Sequence, residues 1–174
     1  MQHRQRQMNH PLVLALFDRP TAMTQAARAL HAEGVGRDQI SVIARNHDEE
    51  GALADQLGAT PGAEVEESRP AAVVGELSGL VLAAIAFVLP GVGPIVAAGP
   101  LSAGLGEAAG HAAGGIASAL SDAGVDPERA RSLESEVERG AILLGVHVHG
   151  DPERVRATLA SSGARDVQVV SWRE

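Results

Sequence analysis

Residues 77–106 run thirty positions without a charged side chain, in a chain that is 21% charged overall. A stretch of this kind is satisfied either by burial in protein or by burial in lipid, so its placement decides what class of fold is open to the chain. It holds an apolar block at 80–89, then Pro90-Gly91-Val92-Gly93-Pro94, then a Gly/Ala-rich tract. The pattern predicts a helix over 71–89, a rigid turn at 90–94, and a second helix over 95–123 broken at Gly99-Pro100. Ser102, Gly106, Gly110, Gly114 and Ser118 recur every fourth residue, and Gly75 and Gly79 begin a similar series on the first helix. Small residues at this spacing let two helix backbones approach closely, so the expectation is a helical hairpin packed through both stripes.

Glu76, Glu107 and His111 interrupt the apolar character of that hairpin, and no Arg lies between Arg69 and Arg129 to anchor a span. A hairpin buried in protein is therefore preferred to one inserted in a membrane, with cytoplasmic location as the expectation and membrane association as the alternative.

The flanks of the insertion repeat one plan. An apolar run at 12–17 reads as a strand. It is followed by a helix with Met23, Ala26, Ala27 and Leu30 at helical spacing, a stop at Gly34, and a second strand at 39–44. The C-terminal part has a strand at 141–148, an Asp151-Pro152-Glu153-Arg154 helix start, a stop at Gly163 and a strand at 167–170. Arg-Asp precedes the last strand of both halves, at Arg37-Asp38 and Arg165-Asp166. Two βαβ halves, each too small for its own core, predict an α+β fold of ferredoxin-like type. Its four-stranded antiparallel sheet would carry two helices on one face, with a long helical-hairpin insertion between the halves.

The expected organisation is a flexible tail at 1–10 and a single domain at 11–174. Residues 46–140 would be the insertion: an acidic loop, the hairpin, and a capping helix that starts at Asp126-Pro127 and stops at Gly140. Leu12, Leu14, Leu16, Ile142, Leu144 and Val146 are expected under the helices of the two halves. Val13, Ala15, Phe17, Leu143 and Gly145 would line the opposite face, covered by the hairpin or by a second copy.

The chain has no Cys and no Lys; all fourteen of its cationic Lys/Arg positions are Arg. That excludes disulfides, thiol nucleophiles, Schiff-base lysines and Walker-type phosphate loops. The net charge of −8 opposes a nucleic-acid surface.

Few residues suggest chemistry. His147 and His149 alternate on one strand with Asp151 beyond them, which could begin a metal site. Their expected role is nonetheless polar positions at a strand end, because His10, sharing the parity of Leu12, is expected on the opposite face. Glu107 and His111 read as an ordinary helix pair. Gly104-Leu105-Gly106-Glu107-Ala108-Ala109 imitates a dinucleotide motif without the strand that motif requires. No catalytic constellation and no cofactor are implied.

The order of elements resembles the bacterial general stress protein family, the heat-induced type with a split ferredoxin-like domain. The resemblance rests on Leu14-Ala15-Leu16-Phe17-Asp18, Asp38-Gln39-Ile40-Ser41-Val42-Ile43, the tract from Pro90-Gly91-Val92-Gly93-Pro94 to Ala98-Gly99-Pro100-Leu101, Gly124-Val125, and Arg139-Gly140-Ala141-Ile142-Leu143. It implies a stress-related role and assigns no catalytic residue. The function expected is non-enzymatic: self-association or partner binding through the hairpin, with a homo-oligomer as the expected assembly. The alternatives are membrane insertion of the hairpin, or a small-ligand or metal-binding module using the strand histidines.

Overall fold

In the computed structural model, residues 10–45, 84–89, 93–102, 104–105 and 115–172 are described, and the structural statements below concern these residues. The elements in chain order are β1 (His10–Phe17), α1 (Pro20–Ala32), a single 3-10 turn (Arg37–Gln39), β2 (Ile40–Arg45), β3 (Ala84–Leu89), β4 (Gly93–Ala98), α2 (Ile116–Asp122), α3 (Pro127–Glu138), β5 (Ile142–His147), α4 (Pro152–Ser161) and β6 (Arg165–Trp172). The strands form one antiparallel sheet in the order β3-β4-β2-β5-β1-β6. The architecture is α+β, as expected, with six strands rather than four.

The extra strands come from the uncharged run. Ala84–Leu89 and Gly93–Ala98 pair antiparallel, with Leu89 opposite Gly93, and β4 continues the sheet by pairing with β2, Ala98 opposite Val42. The expected helix over 71–89 therefore gives way to a strand from Ala84, and the expected helix over 95–123 begins as a strand. An apolar run of six residues has the same look in a buried strand and a buried helix, and here Ile85, Phe87, Val88, Ile95 and Val96 supply the β-branched and aromatic character that strands favour. Pro94 is tolerated because the β2 ladder ends at Ile95, opposite Arg45.

β4 ends in a joint that turns the chain onto a sheet face. Gly99 has φ +80°, and a Cβ there would lie 2.0 Å from the Ile40 carbonyl oxygen. The Leu101 N–H donates to the buried Ser41 hydroxyl at 3.0 Å, and the Ser102 hydroxyl donates to the Gly99 carbonyl at 2.6 Å. Gly115 is extended (φ −133°, ψ −173°) immediately before α2, so no helix is continuous from 95 to 123.

Both sheet faces are covered by the chain itself. Val13, Ala15, Phe17, Ile142, Leu144 and Val146 pack with Met23, Leu30, Val155 and Leu159 of α1 and α4. Leu12, Leu14, Leu16, Ile43, Ile95 and Leu143 pack with Leu101, Leu105, Ile116, Leu120, Leu133 and Val137 on the α2/α3 side. Each fully buried Leu or Ile contributes about 1.5–3 kcal/mol of hydrophobic free energy, so the two layers are comparable halves of one core. The β5 residues face as expected, but those of β1 face the other way. Val13 stands opposite Val146 and Leu12 opposite His147, whereas the expected faces put Leu12 on the same side as Val146, and a one-residue change of register exchanges the faces of a strand. The α2/α3 pair takes the covering place expected of a hairpin over 71–123, and α3 is the capping helix expected from Asp126-Pro127 to Gly140.

The helix limits follow local chemistry. Asp126 and Asp151 cap α3 and α4, each accepting a hydrogen bond from the second residue of its helix, at 3.0 Å in both. α1 ends at Gly34, where Gly34 N–H reaches His31 and Val35 N–H reaches Leu30. The same two bonds recur at the ends of the other three helices, at Gly124, Gly140 and Gly163, each followed by an apolar residue. Among the described residues no helix is long and apolar enough to cross a membrane.

Candidate functional site

Imidazole and indole rings gather at the end of the sheet where β1 starts and β5 and β6 finish. The register sets His10 opposite Trp172 and Leu12 opposite His147, and Val148 N–H donates to the Pro11 carbonyl at 2.9 Å, which carries the β1–β5 pairing past the ladder. His10 thus shares a face with His147 and His149, contrary to the parity expected from sequence. The His10 and His149 rings meet edge to face with centroids 5.8 Å apart, and the His147 ring meets Trp172, the chain's single tryptophan, at 4.5 Å. His147 is 6% exposed, whereas His149 lies at the surface.

Beside the rings is a cleft of about 240 Å³ between the α1–β2 connection and the β5–α4 connection, with His149, Glu33, Gln39, Asp151 and Arg154 as its polar lining. Gln39 fixes the floor: its side-chain N–H donates to the His147 carbonyl at 2.7 Å and its amide oxygen accepts from Gly36 N–H at 2.9 Å. The Glu33 carboxylate accepts from the Thr158 hydroxyl at 2.7 Å and lies 3.8 Å from the Arg154 guanidinium. Val35, Val148 and Val155 supply apolar lining. The cleft offers donors from His149 and Arg154 and acceptors from Glu33 and Asp151.

The structure brings His147 and His149 to one end of the sheet, as their alternation predicts. Among the described residues no three His, Cys, Asp or Glu side chains are grouped to hold a metal ion. Asp151 serves as the α4 cap, and Trp172 packs against the His147 ring. Of the small-residue series, Ser102 lies in the turn after β4 and Ser118 in α2; Gly75, Gly79, Gly106, Gly110 and Gly114 lie outside the described residues, as do Glu76, Glu107 and His111. Of the dinucleotide-like string only Gly104 and Leu105 are described, and Leu105 is core.

At the opposite end of β6 from Trp172, ion pairs whose role the sequence reading did not assign tie the strand to α3 and to the end of β1. Arg165 of β6 donates to Glu136 of α3 and to Asp18, each at 2.7 Å. The Arg165 hydrogen bond holds the Glu136 carboxyl below its ordinary value, and Glu136 in turn raises Arg165. Arg129 of α3 reaches Asp166 and Gln168 of β6. The shared Arg-Asp preceding the last strand of each half was the available signal for the β6 pair. Set against family models, curated proteins and solved structures, the chain matches none.

Proposed function

We propose that this chain is a non-enzymatic, stress-associated protein of the cytoplasm that works by associating with itself. The observation that carries this reading is the position of the uncharged run: two strands, Ala84–Leu89 and Gly93–Ala98, extend one side of the sheet, and among the described residues the outermost strand there has no charged residue. An uncharged, apolar terminal strand favours association. We read the remaining four strands as a ferredoxin-like unit enlarged by this hairpin, a reading supported by the order β2-β5-β1-β6 and by α1 and α4 sharing one face. The stress association rests on the family resemblance. Light scattering on the full chain after detergent-free size exclusion tests the association, with a discrete oligomer expected; a monomer at micromolar concentration would end it. The stress association predicts a rise in the protein's abundance after heat shock.

A second reading, a small-ligand module, is favoured by the adjacency of the histidine rings and the cleft. It predicts that His149→Ala combined with Arg154→Ala removes any thermal-shift response found in a screen of small polar metabolites, while the stability of the unliganded protein stays the same.

A further inference from the structure

The two ends of the sheet are built differently. β6 ends one side with Arg165 and Asp166 at its start, both held in ion pairs that reach α3, and with an irregular register against β1 where Asp166 takes φ +57°. Charges and a distorted register are the devices by which edge strands avoid pairing with other chains. β3 ends the other side with Ala84-Ile85-Ala86-Phe87-Val88-Leu89, which contains no charge, no Pro and no Gly. Its six residues pair in unbroken register with β4, and among the described residues no strand pairs with its outer side.

Resting on the self-association reading, we infer that β3 pairs antiparallel with β3 of a second copy, joining two six-stranded sheets about a two-fold axis. A second copy fits because an antiparallel edge-to-edge contact about a two-fold is self-complementary and asks nothing of a partner but the same strand. Charge points the same way. Two chains of net charge −8 repel one another, and the uncharged stretch at 77–106 gives them a place to meet without opposing like charges.

The geometry makes a sharp demand. In an antiparallel ladder, directly opposed residues point to the same side of the sheet. A two-fold perpendicular to the sheet then requires one residue of β3 to stand opposite its own copy. The chain has no cysteine, so single-cysteine variants at each of the six β3 positions report that residue directly. Under mild oxidation the expected result is a disulfide-linked dimer peaking at one central position and lost two residues to either side. Ala86→Lys should raise the dimer dissociation constant by roughly a hundredfold, since like charges would face each other across the axis. Far-UV circular dichroism of the monomer should remain native in that variant. An oligomer that persists in Ala86→Lys and gives no cross-link peak along β3 overturns the β3 pairing and leaves self-association standing. A monomeric wild-type chain overturns both.

Discussion

Gly99 of the β4 exit lies so close to Ile40 of β2 that a single added methyl carbon would sit 2.0 Å from the Ile40 carbonyl oxygen. The obstacle is backbone, which cannot swing aside as a side chain can, and φ at Gly99 is +80°. Gly99→Ala should therefore cost on the order of 3 kcal/mol or more in chemical denaturation, combining strain with displacement of β2. Gly34→Ala is the control. It has a positive φ of +92° with nothing within 4 Å, and should cost only about 1–2 kcal/mol. Equal losses in the two variants would show that the Gly99–Ile40 approach is unimportant.

The Ser41 hydroxyl, fully buried, accepts the Leu101 N–H at 3.0 Å and so ties the start of the helical turn after β4 to the middle of the sheet. Ser41→Ala leaves that donor unsatisfied and should destabilise the protein by about 1–3 kcal/mol. Hydrogen exchange at the Leu101 amide should rise with it. Unchanged protection there would mean that the bond does not hold the turn.

The contrast between what was and was not legible in the sequence is physical. The helix limits were readable because their determinants are local: Asp126-Pro127 and Asp151-Pro152 start α3 and α4, and Gly34, Gly140 and Gly163 stop three helices. The hairpin was not, since Ala84–Leu89 carries no polar residue whose spacing could separate a period of two from one of 3.6. The facing of β1 was hidden for a related reason. Leu12 to Phe17 are all fully buried because helices cover both sides of the sheet, so no apolar–polar alternation marks a face. The ring cluster inherited that ambiguity: the alternation of His147 and His149 was visible, but the arrival of His10 beside His149 depends on the β1–β5 register.

Gly145 of β5 sits beneath Leu101, where an added Cβ would meet Leu101 Cδ1 at 2.8 Å and leucine methyls of β1 at 3.4 and 3.5 Å. Gly145→Ala overpacks this layer and should cost about 1–3 kcal/mol. The nearest obstacle is the end of a flexible side chain, so Leu101→Ala in the same protein should recover part of the loss. The double variant should be less destabilised than the sum of the two single ones, a coupling measured by a double-mutant cycle. Strict additivity would place the strain elsewhere.

Acid should weaken the tie between α3 and β6. Arg165 lowers the Glu136 carboxyl in the folded protein, chiefly through their hydrogen bond, relative to its ordinary value of 4.5. For a carboxylate with a lowered folded value, the unfolded chain binds more protons in the intervening range, so stability rises with pH there. The contribution of the pair is therefore complete above about pH 4.5 and is lost as pH falls through the lower folded value. Glu136→Gln should reduce stability near neutral pH and flatten the acid limb of the stability curve, so that variant and wild type converge as pH drops below that range. Denaturant unfolding at a series of pH values between 2 and 7 reads this directly, and parallel curves for the two proteins would show that Glu136 does not titrate against Arg165.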